Sequence, residues 1–264
     1  MRQSRVSGAV RLPLLVAHLL VGLWRVRFRL PAMSEAERQA TVRRWARRLL
    51  ALLGVRVHLQ GEAPARGGYL LASNHVSWVD IFALLAHQPF TFVAKSEIRG
   101  WPVIGPLAAG VGTLFIERGR TRHARTTNGR IAALIEAGGV IAVFPEGTTT
   151  QGDRLLPFHA ALFQPVIDAG GLVQPVALRY ADAAGEPSAI AAYVDDMTLL
   201  GSIWRILGAK TIHVKLQFLT PVVTTGLARR EVSLASERAI ASALNVPLPY
   251  RERRTGPDLP DASP

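Results

Sequence analysis

Cysteine is absent from the 264-residue chain. Its absence excludes disulfides, a cysteine nucleophile and zinc sites built on thiolates. Lysine is scarce as well: only Lys95, Lys210 and Lys215 occur, so nearly all of the 31 basic residues are arginines, which suit forked contacts to phosphate and carboxylate. The chain contains no serine-hydrolase elbow of the form G-x-S-x-G.

Signatures of nucleic-acid binding are also missing. There is no helix-turn-helix pattern, no RNA-binding aromatic motif and no Lys/Arg run with interleaved aromatic residues. The formal net charge is nevertheless +12, and a basic balance of this size fits an anionic membrane surface or an anionic substrate. We therefore expect no nucleic-acid partner. About half of the residues, 49%, are hydrophobic, which is enough for a buried core.

The apolar run near the N-terminus is short. It covers 13 residues, 12–24, whereas a helix that spans a bilayer needs about 20. Arginines flank the run on both sides and give it no orientation, and no small-residue cleavage site follows it. A helix that lies in the membrane interface, or dips into one leaflet, explains this pattern; a buried core helix is the alternative.

A second helix is predicted to begin near Ser34. Ser34 and Glu37 have the spacing of a capping box, and residues 41–54 form a basic amphipathic pattern that ends at Gly54. With the first apolar run, this pattern predicts a membrane-associated helical hairpin over residues 1–54. The expected location is the cytoplasmic face of the cell inner membrane, with monotopic or single-helix association. The alternative for the second helix is a solvated face packed on the domain.

From Val55 onward, short β-like runs alternate with helical ones, which predicts an α/β domain over residues 55–247 with a mostly parallel or mixed central sheet flanked by helices. The polar tail, 248–264, is predicted to be disordered. The predicted strands are Val55–Gln60, Tyr69–Ser73, Thr91–Ala94, Thr113–Ile116, Val140–Phe144, Val173–Tyr180 and Thr211–Leu219. The predicted helices are Val79–Ala86, Pro102–Ala109, Thr121–Glu136, Ala160–Asp168 and Arg230–Leu244.

The stretch 73-SNHVSWVDIF-82 places polar residues inside an apolar run. It lies where a predicted strand ends and a helix begins, and active sites of α/β sheets gather at the carboxyl ends of strands. His75 and Asp80 are close enough in sequence for the carboxylate to fix the imidazole tautomer and stabilise the imidazolium. The pair is a candidate general base, and a structural histidine is the alternative.

Two further stretches follow predicted strands. The stretch 112-GTLFIERGR-120 carries Arg118, and 144-FPEGTTTQG-152 combines Pro145, Glu146 and Gly147 with three threonines. A turn of the second kind can aim backbone N–H groups and hydroxyls at an anion. Taken separately, each stretch is also compatible with a plain turn or a surface ion pair.

Together and in this order, the stretches resemble the glycerolipid acyltransferase family typified by bacterial 1-acylglycerol-3-phosphate acyltransferase. The resemblance covers roughly residues 68–180, and the lysine-containing stretch 95–105 is similar as well. The family blocks are N-H-x-x-x-x-D, G-x-x-F-I-x-R, F-P-E-G-T and an apolar run around a proline. The residues that match them are Asn74, His75 and Asp80; Gly112, Phe115, Ile116 and Arg118; Phe144 through Thr148; and Pro175 within residues 173–178.

The resemblance implies transfer of a fatty acyl group from acyl-coenzyme A or acyl carrier protein to the hydroxyl of a lysolipid, first of all 1-acyl-sn-glycerol-3-phosphate, which gives phosphatidic acid. It assigns His75 as the base and Asp80 as its partner. The substrate-binding residues that it implies are Asn74, Lys95, Arg118, Glu146, Gly147 and Thr148. A thioester is already activated, so we expect no metal, no cofactor and no covalent intermediate.

Two positions depart from the family pattern. Thr149 stands where the third block commonly has an arginine, which removes a phosphate contact and makes lyso-ornithine lipid, whose head group lacks phosphate, the alternative acceptor. His159 stands where a lysine is common. We expect His159 near the site but not as the base, because it lacks a closely spaced carboxylate.

Two other interpretations compete with acyl transfer. A serine hydrolase would use Ser77, but the elbow motif is missing. A non-catalytic peripheral membrane-binding protein would use the N-terminal hairpin and its basic face, but it would leave His75, Asp80 and Glu146 without a role.

Overall fold

The structure, a computed structural model, describes residues 5–116 and 121–249, without the side chains of 5–10, 95, 116 and 121–125. Within these ranges the chain forms one eight-stranded sheet with helices on both faces. The strands are β1 (Val55–Gln60), β2 (Tyr69–Ser73), β3 (Thr91–Lys95), β4 (Leu114–Ile116), β5 (Val140–Val143), β6 (Leu172–Ala181), β7 (Ile212–Phe218) and β8 (Val222–Val223). The helices are α1 (Arg5–Trp24), α2 (Glu35–Leu53), α3 (Val79–His87), α4 (Ile104–Gly110), α5 (Thr121–Glu136), α6 (Gln164–Asp168), α7 (Leu199–Leu207) and α8 (Arg229–Leu244).

The sheet is mixed, in the order β1-β7-β6-β2-β5-β3-β4, with β8 paired to β6. The five strands β6, β2, β5, β3 and β4 run parallel to one another. Strand β7 pairs antiparallel with β6, and β1 pairs in parallel with β7. This confirms the predicted α/β class with a mixed sheet. Because β2 and β5 are adjacent and parallel, the segments that follow them leave the sheet at the same edge.

Strand β2 lies at the centre and is buried along its whole length. Its side chains alternate between two cores, as period-two geometry requires. Tyr69 and Leu71 point into the core beneath α2, α3 and α7, whereas Leu70 and Ala72 point into the core beneath α5, α6 and α8. The apolar composition of β2 follows from this burial on both faces.

The N-terminal hairpin packs on the domain. His18 Nε2 lies 3.1 Å from the Trp45 carbonyl, and the two rings stack with centroids 4.8 Å apart. On α2, Leu49 and Leu53 are buried in the core next to the sheet. One face of each helix is therefore buried against the domain, while the other face of α1 is exposed. The buried-core alternative applies to one face of α1, and the alternative for the second helix, packing on the domain, applies to one face of α2.

The ends of the hairpin follow the sequence signals. Ser34 and Glu37 form the predicted capping box, and Gly54 closes α2 at a φ of 75°, a left-handed conformation that favours glycine. Between the helices, Arg25–Arg29 forms a π-helix and Leu30–Ala32 a 3₁₀ turn. Among residues 5–116 and 121–249, no helix is both long and apolar enough to cross a membrane.

Three elements differ from the sequence prediction. The helix predicted over residues 160–168 is a 3₁₀ turn, Ala160–Phe163, followed by α6. Neither α7 nor β8 was predicted. Six of the nine residues of α7 are apolar, and so short a run does not by itself distinguish a helix from a strand. Most of the predicted tail, from residue 250 onward, lies outside the described residues.

Candidate active site

His75 and Asp80 meet at the carboxyl end of β2. The imidazole Nδ1 lies 2.9 Å from Asp80 Oδ2. The His75 side chain is 17% exposed, whereas Asp80 is fully buried in the first turn of α3. With Nδ1 engaged by the carboxylate, Nε2 is the ring nitrogen that can take a proton from a substrate.

Asp80 is held by four donors. Besides the imidazole, the backbone N–H groups of Val76 and Ser77 donate to Oδ2 over 2.7 and 2.8 Å. The phenolic hydroxyl of Tyr180 donates to Oδ1 over 2.6 Å. These bonds compensate the carboxylate for its burial and fix it in the plane where it meets the imidazole.

Tyr180 is the residue at this site that sequence analysis did not find. It lies near the end of β6, 100 positions from Asp80, and becomes its neighbour because β6 pairs with β2. Burial, followed by the charge of Asp80, raises the pKa of Tyr180 well above its ordinary value. The tyrosine therefore stays a hydrogen-bond donor. Its only sequence signal was its place at the end of a predicted buried strand.

The His75 ring lies flat on Phe144, with centroids 3.9 Å apart and planes 2° from parallel. Phe144 directly follows β5, the strand beside β2, so the parallel arrangement brings the first and third sequence blocks together. Phe92 on β3 packs against Phe144, with ring centroids 5.5 Å apart, so the three rings form an aromatic cluster. The stack limits the orientations of the imidazole.

Glu146 joins the same two blocks. Its Oε1 accepts from the backbone N–H of His75 over 2.8 Å, and its Oε2 accepts from the N–H of Leu156 over 2.8 Å. The residue is only 3% exposed, and burial raises its pKa to about 7, against the opposing effect of these two hydrogen bonds. In this structure Glu146 braces the backbone of the base; its predicted contact with substrate stays a prediction.

Asn74 is buried, and both of its polar side-chain atoms contact Leu178 on β6. The amide nitrogen donates to the Leu178 carbonyl over 2.9 Å, and the amide oxygen accepts from the Leu178 N–H over 2.8 Å. These bonds fasten the end of β2 to β6, directly before His75. Here too, the direct substrate contact that was predicted stays a prediction.

The turn after Phe144 returns to His75. Gly147 has a φ of 73°, where glycine is favoured. Thr150 donates its backbone N–H to the His75 carbonyl over 2.9 Å. The Thr149 hydroxyl donates to the Tyr193 carbonyl, and Thr148 is exposed beside the site. The predicted proximity of this turn to the base is therefore present.

Two predicted cationic contacts cannot be placed. Arg118 lies outside the described residues, and the side chain of Lys95, at the end of β3, does too. His159 is exposed, and its backbone N–H donates to the Pro145 carbonyl over 2.9 Å, which keeps it next to the third block. Ser77 is fully buried, and its hydroxyl accepts from the Val79 N–H. A buried serine of this kind is a poor nucleophile, which weighs against the hydrolase interpretation.

An apolar cavity of about 200 Å³ opens on the same face of the sheet as the hairpin. It is far larger than ordinary packing voids, which seldom exceed one water. Phe92 belongs to its wall and also to the aromatic cluster around His75, and Trp78, in the loop after His75, lines it too. Helices α1, α2, α3, α4 and α7 supply most of the remaining wall. The cavity is suited to a long aliphatic chain.

Comparison with known proteins agrees with this arrangement. Residues 54–179 match the model of the acyltransferase family. The chain is 40% identical over 245 residues to the lyso-ornithine lipid O-acyltransferase of Pseudomonas aeruginosa, which covers 92% of both chains. It is 42% identical over 171 residues to the 1-acyl-sn-glycerol-3-phosphate acyltransferase of Neisseria gonorrhoeae, which covers 64% of this chain and 67% of that one.

The fold has a counterpart among solved structures. The crystal structure of the 1-acyl-sn-glycerophosphate acyltransferase PlsC from Thermotoga maritima superposes with a TM-score of 0.64 at 19% identity, over 90% of this chain and 96% of that one. At this identity the likeness concerns the fold alone. Taken with the 40% identity that extends over nearly the whole length of a relative, the matched blocks and their assembly around His75 show that the chain belongs to the acyltransferase family.

Proposed function

We propose that this protein transfers a fatty acyl group from a thioester to the hydroxyl of a lysolipid, with His75 as the general base. The observation that carries the proposal is the pairing of His75 Nδ1 with the buried Asp80 carboxylate. It fixes the tautomer in which Nε2 accepts a proton. The partly exposed imidazole is connected through the rings of Phe144 and Phe92 to an apolar cavity with space for a lipid chain.

The chemistry follows from this geometry. The acceptor hydroxyl gives its proton to Nε2 of His75 as its oxygen bonds to the thioester carbonyl carbon. The C–S bond then breaks, and the leaving thiolate recovers the proton from the imidazolium. Asp80 stabilises the cation that forms between these steps. The products are an ester and a free thiol, and no group on the enzyme is acylated.

The apolar cavity is assigned to the acyl chain. Its wall contains almost no polar surface, so an aliphatic chain is the ligand that gains most from burial there. Phe92 and Trp78 connect the cavity to the surroundings of His75. A chain that lies in the cavity has its carboxyl end on the side where the base is found. The thioester is carried by coenzyme A or acyl carrier protein, and the basic charge of the chain suits the phosphate of either donor.

Lyso-ornithine lipid is the acceptor that we favour. Thr149 stands where the third block of the family pattern commonly has an arginine, which suits a phosphate, and its hydroxyl donates to the Tyr193 carbonyl. The relative that matches nearly the whole chain is named for this acceptor, and a lyso-ornithine lipid O-acyltransferase of Rhizobium meliloti is 34% identical over 224 residues. Lysophosphatidate is the second candidate. The net charge of +12 and the Neisseria relative favour it.

The hairpin is assigned to the cytoplasmic face of the inner membrane. The outward face of α1 exposes Leu14, Leu20 and Trp24, with 54%, 59% and 52% of their surface accessible. Arg27 and Arg29 follow on the exposed π-helical segment. An apolar face bordered by arginines is typical of a helix that lies in an anionic membrane interface. The other face of the hairpin is buried in the domain, so the association is monotopic.

The decisive experiment is an acceptor and donor panel with purified protein. Lyso-ornithine lipid and lysophosphatidate are each supplied with acyl-coenzyme A and with acyl carrier protein thioesters, and the ester product is measured. We expect turnover with lyso-ornithine lipid to exceed turnover with lysophosphatidate. The reverse order would transfer the proposal to the second acceptor, and ester formation with neither would reject it.

The matched control for the base uses the other histidine of the site region. His75→Ala is expected to abolish transfer, whereas His159→Ala is expected to retain most of it, because His159 is exposed and has no carboxylate partner among the described contacts. Circular dichroism verifies that both variants fold. Near-normal turnover in His75→Ala contradicts the mechanism.

A further inference from the structure

Helix α7 presents an apolar face to the outside of the molecule. Leu200 and Trp204, one helical turn apart, are 78% and 47% exposed. On the opposite face, Ser202 and Ile206 are fully buried, and Leu207 in the last turn is fully buried as well. The exposed face of a helix on a soluble domain is normally polar, and α7 contains no acidic residue. The outward face of α7 is therefore suited to contact an apolar partner.

Polar contacts on the side of α7 that faces the domain fix its orientation. The indole N–H of Trp78 donates to the Ser202 hydroxyl over 3.0 Å. The Arg205 guanidinium donates to the carbonyls of Ala189 and Ala192. Because these bonds and the buried leucine and isoleucine hold the helix against the domain, rotation of Leu200 and Trp204 into the core would break all of them.

Helix α7 lies against α1. The two helices are in contact, and each contributes to the wall of the apolar cavity, α1 with Leu19 and α7 with Ile203. On the outward side, α1 exposes Leu20 and Trp24. The two exposed faces therefore flank the cavity that we assign to the acyl chain.

Charge identifies the partner as an anionic lipid surface. Phe28, 61% exposed, lies between the exposed Arg27 and Arg29 on the segment that follows α1. The Arg27 guanidinium lies over the Phe28 ring, 5.2 Å from its centroid. Aromatic side chains bordered by arginines suit the boundary between acyl chains and anionic head groups, because the rings contact the acyl chains and the guanidinium groups contact the head groups.

We propose that α7 is a second membrane-docking element, which inserts Leu200 and Trp204 into the same leaflet as the outward face of α1. A protein docked on both helices holds the cavity between them against the lipid, so that acyl chains enter without crossing water. This inference extends the membrane association proposed for the hairpin. The two proposals can be tested separately, because α7 and the hairpin are distant segments of the chain and can be substituted independently.

The first test measures binding to vesicles of phosphatidylglycerol and phosphatidylethanolamine. The double variant Leu200→Glu, Trp204→Glu is compared with Val223→Glu on β8, which is 59% exposed and pairs with the amino end of β6. We expect the double variant to bind at least tenfold more weakly, from the lost burial of two large apolar side chains, and Val223→Glu to bind as the parent does. Equal binding by all three proteins overturns the proposal.

A second test needs no disruptive substitution. The chain lacks cysteine, so Leu200→Cys and Val223→Cys each provide one site for a polarity-sensitive fluorophore. We expect a blue shift on adding vesicles at position 200 and none at position 223. A blue shift at position 200 before any vesicles are added, in a protein that is dimeric in solution, would assign the α7 face to a second copy and overturn the proposal.

Acyl transfer is measured in parallel on a short-chain lysolipid dispersed in detergent. The double variant is expected to keep its turnover there, because neither Leu200 nor Trp204 belongs to the cavity wall or contacts the base. Loss of vesicle binding with intact transfer supports the inference, whereas absence of transfer in the parent protein counts against the proposed function and leaves the vesicle result to decide on α7.

Discussion

Tyr180 donates its hydroxyl hydrogen to Asp80 Oδ1 over 2.6 Å, on the side of the carboxylate away from His75. The tyrosine is buried and its pKa is raised, first by burial and then by the charge of Asp80, so it remains protonated whenever Asp80 is ionised. The three residues form a hydrogen-bonded line that runs from the loop after β2, through the first turn of α3, to β6. In the mechanism that we propose, His75 takes the proton of the substrate, Asp80 orients His75, and Tyr180 positions Asp80.

Asp80→Asn is expected to lower kcat by roughly 10²–10⁴-fold. The neutral amide cannot stabilise the imidazolium. If its oxygen keeps the bonds from the N–H groups of Val76 and Ser77, its NH₂ group takes the place of Oδ1 and faces the Tyr180 hydroxyl, which now donates there. Steady-state kinetics on micellar substrate, with circular dichroism to verify folding, measure the effect. A folded variant with parental kcat would show that the carboxylate has no part in the reaction.

Tyr180→Phe tests the outer member of the line. Loss of a hydrogen bond to a buried charge is expected to cost about 1.5–3 kcal/mol of stability and to reduce kcat roughly fivefold, because Asp80 loses one of its four donors and holds the imidazole less firmly. Rates measured across pH 5–9 should show an altered pH profile, which a purely structural role would not cause.

The matched control is Tyr69→Phe. Tyr69 is buried against the same face of the sheet, and its hydroxyl donates to the neutral Gln88 side chain over 3.1 Å. We expect a stability loss of about 1 kcal/mol with an unchanged kcat and pH profile. If both variants lost activity in parallel with stability, the positioning role of Tyr180 would be refuted.

Glu146 makes stability dependent on pH. Its pKa is raised by burial from 4.5 to about 7, so the folded state binds its proton more tightly than the unfolded chain does. This contribution to the free energy of unfolding is fully present below about pH 4.5 and is lost as pH rises through about 7, with a total of roughly 3 kcal/mol. Urea denaturation from pH 4.5 to 8 should show this decrease.

Glu146→Gln removes the titrating group. The variant is expected to be less stable at pH 5. Each carboxyl oxygen of Glu146 accepts from one backbone N–H, that of His75 or that of Leu156, whereas the single amide oxygen of glutamine can replace only one of them. The decline in the free energy of unfolding between pH 4.5 and 7 should be smaller than in the parent protein by roughly 3 kcal/mol, the contribution assigned to Glu146. An identical pH dependence in both proteins would mean that Glu146 is not the group responsible.

The cavity assignment predicts a change in chain-length preference. Ala108 on α4 lines the cavity, whereas its neighbour Ala109 is exposed outside it. Ala108→Leu should fill part of the cavity and reduce kcat/KM for long acyl donors relative to short ones, by roughly tenfold for each few methylenes excluded. Ala109→Leu should leave the preference unchanged. The same preference in all three proteins would place the acyl chain elsewhere.

Much of the local structure was predictable because its signals are local. The apolar content of residues 69–73 and 140–144 predicted two strands, of which the second ends one residue earlier in the structure, and the capping pair Ser34 and Glu37 predicted the start of α2. The five-residue spacing of His75 and Asp80 was enough to predict their contact, since a strand end followed by one turn of helix brings such positions together. The resemblance to the acyltransferase family rested on these same short blocks.

The tertiary structure decided what depends on contacts between distant segments. Tyr180 reaches Asp80, and Leu178 reaches Asn74, only because β6 is placed beside β2. The role of Glu146 as a brace likewise required the turn after β5 to close on His75.

The sequence by itself determined the class of the fold and predicted the pairing of His75 with Asp80, because periodicity, caps and short motifs act over a few residues. Only the tertiary structure decided which side chains surround that pair, that α7 exists as a helix, and that its apolar face lies outward beside α1. The physical reason is that pairing of strands and burial of faces are set by the whole chain, and a local pattern does not record which distant segment will cover it.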